Sequence, residues 1–347
     1  MKITKLLFMA LATSILFVSC SDDDDSNEPD LPLGLYDNGI LILNEGNASA
    51  GTISYVSSDL VTTSQDIFGA ENPGEEIGGY VQSIFFDGER AFIVSNGSNK
   101  ITVVNRYTFE LIGKIETGFN VPRYGVVVNG KAYVTNLADF ADLTDDFISV
   151  IDLSTLTIQS TIPVNAIAEK IVSENGKLYV ANGSYGEGNT VTVINPASGI
   201  IESTIDVGIS PNSMEEEDGF LYVLCGNYTD DSKLVKINLS NNQIVSEIAM
   251  GGLLNAQNLN IEDSKVYFTV NSDVFSQSLS STTISSTPLF TSTAITLYGF
   301  GVEDGKIFVG DAKDYASDGE VFIYNTSGTL QKQFNVGLIP SGFYFND

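Results

Sequence analysis

Apolar residues are grouped along this chain in short runs that recur at a near-constant interval. One pattern is a glycine or polar residue, a block of aliphatic and aromatic residues, and a closing residue. It reads "NGILILN" to Asn44, "AFIVSN" to Asn96, "GKAYVTN" to Asn136, "GKLYVAN" to Asn182, "GFLYVLC" to Cys225, "SKVYFTV" to Val270 and "GKIFVGD" to Asp311. Successive ends lie 40 to 52 residues apart. Each block is followed by a run that alternates with period two and ends in Asp, Asn, Ser or Pro, such as "ISVIDLST" and "VTVINPAS". That is the mark of a strand feeding a turn. A third run follows, as in "IQSTIPVN" and "IESTIDVG", and an apolar stretch from Pro122, Pro211 or Pro340 opens the next repeat. Four short strands per period, seven times over, predict an all-β fold: a seven-bladed β-propeller.

The two ends of the repeat region complete each other. The first copy begins at "DNGILILN" without an opening strand, and the last residues, "PSGFYFND", are an opening strand with nothing after it. Their union is one full blade, so the C-terminal strand is expected to close the first blade and the ring. The propeller then spans residues 36–347.

Residues 1–19 follow another pattern. Lys2 and Lys5 precede an apolar stretch from Leu6 to Val18, too short to span a bilayer, which predicts a signal peptide. The stretch ends "LFVSC", which resembles the bacterial lipobox; the resemblance implies cleavage before Cys20 and lipidation of that residue. Residues 20–35, with "SDDDDSNEPD" at their centre, are too polar to pack and are expected to form a tether.

Composition narrows the chemistry. The 347 residues carry a net charge of −28, which excludes nucleic acid as a partner and leaves a lipid anchor as the only expected membrane contact. There is no histidine, so histidine-based triads and histidine-ligated metals are absent, and no catalytic residue is expected. With Cys20 lipidated, Cys225 has no disulfide partner and reads as a buried thiol.

In a propeller the loops entering each innermost strand share one face with the loops joining second and third strands. On that face the sequence places Asn44, Glu45, Asn47, Tyr80, Asn96, Arg123, Asn136, Asn182, Tyr185, Asn227, Tyr228, Asp311 and Tyr315 as candidate ligand-binding residues. The same-register asparagines 44, 96, 136 and 182 allow two readings: caps of strand ends, or a ring of amides at the channel mouth. Tyr185, Tyr228 and Tyr315 would stack on a flat ligand, or stand as ordinary solvated loop tyrosines. Arg123 would hold a carboxylate or phosphate, or pair with a neighbouring acid. The carboxylate runs "DLTDDF", "YTDDS" and "DAKDYASD" lack the spacing of a calcium loop, so no metal or other cofactor is expected, calcium being the weak exception.

Through "KAYVTN", "KLYVAN", "VIDLST" and "VINPAS" the chain resembles the bacterial YVTN/YncE-like propellers. Its first blade, "GILILNEGNASAGTISYVSSD", resembles the surface lipoprotein propellers of Bacteroidetes, among them the cobalamin-capturing, BtuG-like group. The acidic run after Cys20 resembles the signal that sends such lipoproteins to the outer face. These resemblances imply an outer-membrane, outward-facing lipoprotein that binds cobalamin or another corrinoid and passes it to a TonB-dependent transporter. A protein-interaction scaffold and a metal-dependent lactonase or lyase are the alternatives.

Overall fold

Both faces of the second strand of every blade are buried, which is why those runs are almost continuously apolar. Alternate residues enter opposite gaps. Leu41 and Leu43 pack with Ala91 and Ile93 of the next blade, while Ile40 and Ile42 pack with Phe308 and Ile323 of the preceding one. Seven apolar clusters result, each filling the gap between two neighbouring sheets.

The computed structural model describes residues 32–346, which form seven four-stranded antiparallel sheets. The innermost strands are, in blade order, Pro340–Asn346, Val81–Asp87, Pro122–Val128, Ile171–Glu174, Pro211–Glu217, Gln257–Glu262 and Leu297–Glu303. Blade one is therefore built from both ends of the propeller region: Pro340–Asn346 pairs with Gly39–Asn44. The seven-bladed ring and its closure agree with the sequence. The signal peptide, Cys20 and the acidic run lie outside the described residues.

Two blades depart from the repeat. The outer strands of blades one and six are only Thr63–Ser64 and Phe290–Thr291. A five-residue helix, Ile67–Glu71, follows the first of these and buries Ile67 and Phe68 between blades one and two. No helix among the described residues is long and apolar enough to cross a membrane.

Neighbouring innermost strands are joined through side chains. Ser83 Oγ donates to the Arg123 carbonyl (2.6 Å), Ser213 Oγ accepts from the Leu259 amide (3.1 Å), and Asn260 Oδ1 accepts from the Val302 amide (2.9 Å). These side chains bridge neighbouring blades where the innermost strand edges have no backbone partner. The chain enters on the lower face, where the Tyr36 amide donates to Tyr107 O in the turn after the third strand of blade two. The second-to-third loops and the loops entering the innermost strands form the opposite, upper face.

Candidate functional site

The central channel is a cavity of about 620 Å³ lined by all seven blades. Its wall carries Glu45, Gln82, Asn96, Arg123, Tyr124, Glu169, Lys170, Tyr185, Glu215 and Tyr298. That volume suits a small molecule or the projecting part of a larger one.

Arg123 opens the innermost strand of blade three and is buried, 8% exposed. Its Nε lies 2.9 Å from Glu169 Oε2 and its Nη2 lies 2.6 Å from Glu169 Oε1. Burial alone would lower its pKa, but the Glu169 carboxylate more than offsets this and holds it above the usual arginine value. Arg123 Nη1 also donates to Gln82 Oε1, which accepts from Asn96 Nδ2 (2.9 Å). The salt-bridge reading of Arg123 is the one the structure shows, placed on the channel wall.

The asparagines expected in one register are not all in it: Val81 pairs with Ser95 as Pro122 pairs with Asn136, so Ser95 holds the shared position and Asn96 lies one residue beyond it. Asn44, Asn136 and Asn182 are buried. Asn136 Nδ2 donates to Val134 O and Ser149 Oγ, and its Oδ1 accepts from the Asn120 amide. Asn182 donates to Ile167 O and accepts from Thr190 and Thr192. Asn44 donates to Thr52 and Ser54, while its Oδ1 has no partner. These three are strand-end caps, the first of the two readings, and they form no ring of amides at the mouth. Asn96 alone of the four lines the channel. Asn47 and Asn227 close Asx turns, on the amides of Ser49 and Thr229. Asp311 is buried and accepts from the amides of Ile295, Thr296 and Lys313. The acidic runs are spent similarly: Asp142 caps Thr144, and Asp314 caps Ala316 and Ser317. Among the described residues no group of three or more Cys, Asp or Glu converges as a metal would require.

The aromatic candidates stay exposed. Tyr185, Tyr228 and Tyr315 are 78%, 75% and 51% exposed, and Tyr80 is 39% exposed. Tyr185 occupies the first corner of a two-residue hairpin, with φ of 51° there and 87° at Gly186. Tyr80 and Tyr315 also have left-handed φ, 47° and 60°. A bulky residue in that region is uncommon and costs about 1–2 kcal/mol. Tyr315 packs edge-on against Tyr298 (5.8 Å), and Phe140 lies 6.0 Å from Tyr185. With Leu143, Leu254 and Ile295, nine of the sixteen exposed large apolar side chains among the described residues stand on this upper face.

Sequence reasoning missed Glu169, Lys170, Glu215, Tyr124 and Tyr298. "PNSMEEE" reads only as a strand opening a repeat, and nothing in "AEKIVSE" marks its residues as facing the channel. Tyr298 Oη donates to Glu45 (3.0 Å), whose carboxyl is pushed up by burial. Glu215 accepts from the Ile261 amide, and burial raises its pKa to about 8, with Ile261 and Lys170 pulling the other way. A folded value above the unfolded one means that the group's stabilising contribution is complete below the ordinary glutamate value of 4.5 and is lost as pH rises through about 8. Glu215→Gln keeps an acceptor for Ile261 and carries no charge. It is expected to raise stability by on the order of 2 kcal/mol at pH 7.5 and to match the parent at pH 4. Urea unfolding at the two pH values checks this; equal midpoints at pH 7.5 would refute it.

The fold recurs in solved structures. A quinonprotein alcohol dehydrogenase-like protein from Bacteroides thetaiotaomicron superimposes with a TM-score of 0.70 at 15% identity, over 90% of this chain and 79% of that one. A hypothetical selenium-binding protein from Sulfolobus tokodaii gives 0.66 at 10% identity, over 89% and 93%. Kuenenia stuttgartiensis hydrazine synthase gives 0.60 at 16% identity, over 78% and 92%. At these identities the likeness is one of fold. No curated protein matches the sequence. Residues 38–285 match the model of a family described as Domain of unknown function (DUF5074), and the chain belongs to that family.

Proposed function

We propose that this protein is an outward-facing outer-membrane lipoprotein, anchored through Cys20, that captures a ligand on the upper face of its propeller and hands it to a TonB-dependent transporter. The observation that carries this reading is the ring of exposed aromatic side chains around a polar channel, three of them in a strained backbone conformation. Strain of this kind persists where it serves a site. Rigid tyrosines supply contact area at low entropic cost. Capture and transfer, rather than catalysis, also fit a chain without histidine. The resemblance of the first blade to cobalamin-capturing propellers makes a corrinoid the ligand to test first.

The test is retention of cyanocobalamin through desalting, followed by titration. The parent is expected to keep its colour, and Tyr185→Ala and Tyr315→Ala are each expected to weaken binding about tenfold, as loss of one stacked ring does. A parent that emerges colourless rejects the corrinoid. A protein-interaction scaffold is the second reading, favoured by Phe140, Leu143 and Ile295, which extend the apolar rim beyond the channel.

A further inference from the structure

The cations that line the channel are Arg123 and Lys170, and on the rim beyond them Lys100 Nζ donates to the Glu76 carbonyl. Arg123 is neutralised by Glu169, Lys233 pairs with Glu247, and Lys313 pairs with Glu320. Lys170 lines the cavity, and no carboxylate among the described residues lies within ion-pair distance of its Nζ. The ammonium instead rests on the face of Tyr124, 3.8 Å from the ring centroid. A cation–π contact holds a charge in place without cancelling it. Glu215, whose carboxyl Lys170 pulls downward, is nonetheless pushed up to about 8 by burial and so is largely uncharged at neutral pH.

Unspent hydroxyl donors line the same cavity. Tyr124 Oη accepts from Gln82 Nε2 (2.8 Å), and its own proton has no acceptor among the described residues. Ser341, on the blade-one side, has a hydroxyl with no hydrogen-bond partner and lines the same cavity. An unpaired ammonium facing a cavity whose lining also offers unspent hydroxyl protons is a site for an anion, because charge-assisted hydrogen bonds are the stronger ones and the unspent protons need acceptors.

We infer that the channel is a binding site for an anionic group, a carboxylate or a phosphate, held by Lys170 with the hydroxyls of Tyr124 and Ser341. The inference rests on the reading of the upper face as a ligand-binding face and adds the charge of what is bound. Of the carboxylates on the channel wall, Glu169 is neutralised by Arg123 and Glu45 and Glu215 are pushed up by burial, while charges beyond about 8 Å are screened at physiological salt. An acidic group on the ligand would enter the channel, and its apolar body would stay on the tyrosine rim.

The experiment uses inorganic phosphate and citrate as separate probes, measured by titration calorimetry at constant ionic strength on the whole mature chain. At least one of them is expected to bind the parent saturably. Lys170→Gln should weaken that binding at least tenfold, and Tyr124→Phe and Ser341→Ala about threefold each, with melting temperatures recorded alongside. Preference for one probe separates phosphate from carboxylate as the group recognised. Absence of binding by both probes, or equal binding by the parent and Lys170→Gln, overturns the inference. A Lys170→Gln chain that melts lower yet binds as the parent does shows a packing role only and overturns it as well. Cyanocobalamin retention with no response to Lys170→Gln would leave the capture reading intact while removing this one.

Discussion

Removing residues 340–347 is expected to abolish the cooperative fold. The deleted strand pairs with Gly39–Asn44 along its length, so its loss leaves blade one with three strands and opens the ring. Phe343 and Phe345 pack 5.6 and 5.5 Å from Phe308, and Tyr344 meets Phe86 at 6.4 Å. One strand thus joins blades seven, one and two. Asn346 is buried; its Nδ2 donates to Tyr36 O (2.6 Å) and Arg106 O (2.8 Å), and its Oδ1 accepts from Arg106 Nε (2.5 Å). Seven backbone positions and three aromatic rings amount to on the order of 10 kcal/mol, comparable with the roughly 5–15 kcal/mol that holds an ordinary domain together. The truncated chain is expected to lose its sharp calorimetric transition or to melt more than about 15 °C lower. Asn346→Ala is the graded counterpart, at about 1–3 kcal/mol for the carbonyls left unpaired. A synthetic peptide of residues 338–347 should restore part of the lost stability. A truncated protein that melts with the full chain would show that the ring does not depend on this strand.

That closure was legible in the sequence because it rests on the same signal as the rest of the fold: runs such as "GILILN" and "FLYVLC" are apolar on both parities, and only strands buried on both faces read so. The irregular parts were not legible for the same reason. Thr63–Ser64 and Phe290–Thr291 are too short for alternation to register, and the helix Ile67–Glu71 is a single turn or so of chain with two buried residues. At the candidate site, sequence order gave register but not direction. Asn44, Asn136 and Asn182 occupy equivalent places, yet a hydroxyl on the facing third strand (Ser54, Ser149 or Thr192) draws each side chain into its own blade. The Ser or Thr in "TISYVS", "ISVID" and "TVTVIN" was the available sign of that capture. Lys170 and Glu215 gave no such sign, since only the closed ring turns their strands toward one cavity.

The second large effect is expected at Arg123. Arg123→Met leaves Glu169 buried, 7% exposed, with a carboxylate that has lost both nitrogens bonded to it. Asp146 is also buried nearby, its own carboxyl pushed up to about 6 by burial despite the Ala168 amide, with Asp145 and Glu169 adding to the rise. Without the guanidinium these acids face one another uncompensated. A single deletion from a buried ion pair costs about 3–5 kcal/mol, whereas replacing both partners with apolar groups of like size is often neutral. Arg123→Met is therefore expected to lose about 3–5 kcal/mol in urea unfolding, and Arg123→Met with Glu169→Met to recover at least about 2 kcal/mol of it, a coupling a double-mutant cycle resolves. The recovered protein should still bind anions poorly. Glu169 precedes Lys170, and Arg123 precedes Tyr124, so the ion pair fixes the two backbones whose next residues hold the ammonium against the ring. Stability and binding should separate in the double variant: the fold returns because no charge is stranded, and the site stays loose because nothing aligns Lys170. If Arg123→Met alone costs less than about 1 kcal/mol, the pair is solvated as a surface pair would be, and the channel is wetter than its geometry indicates.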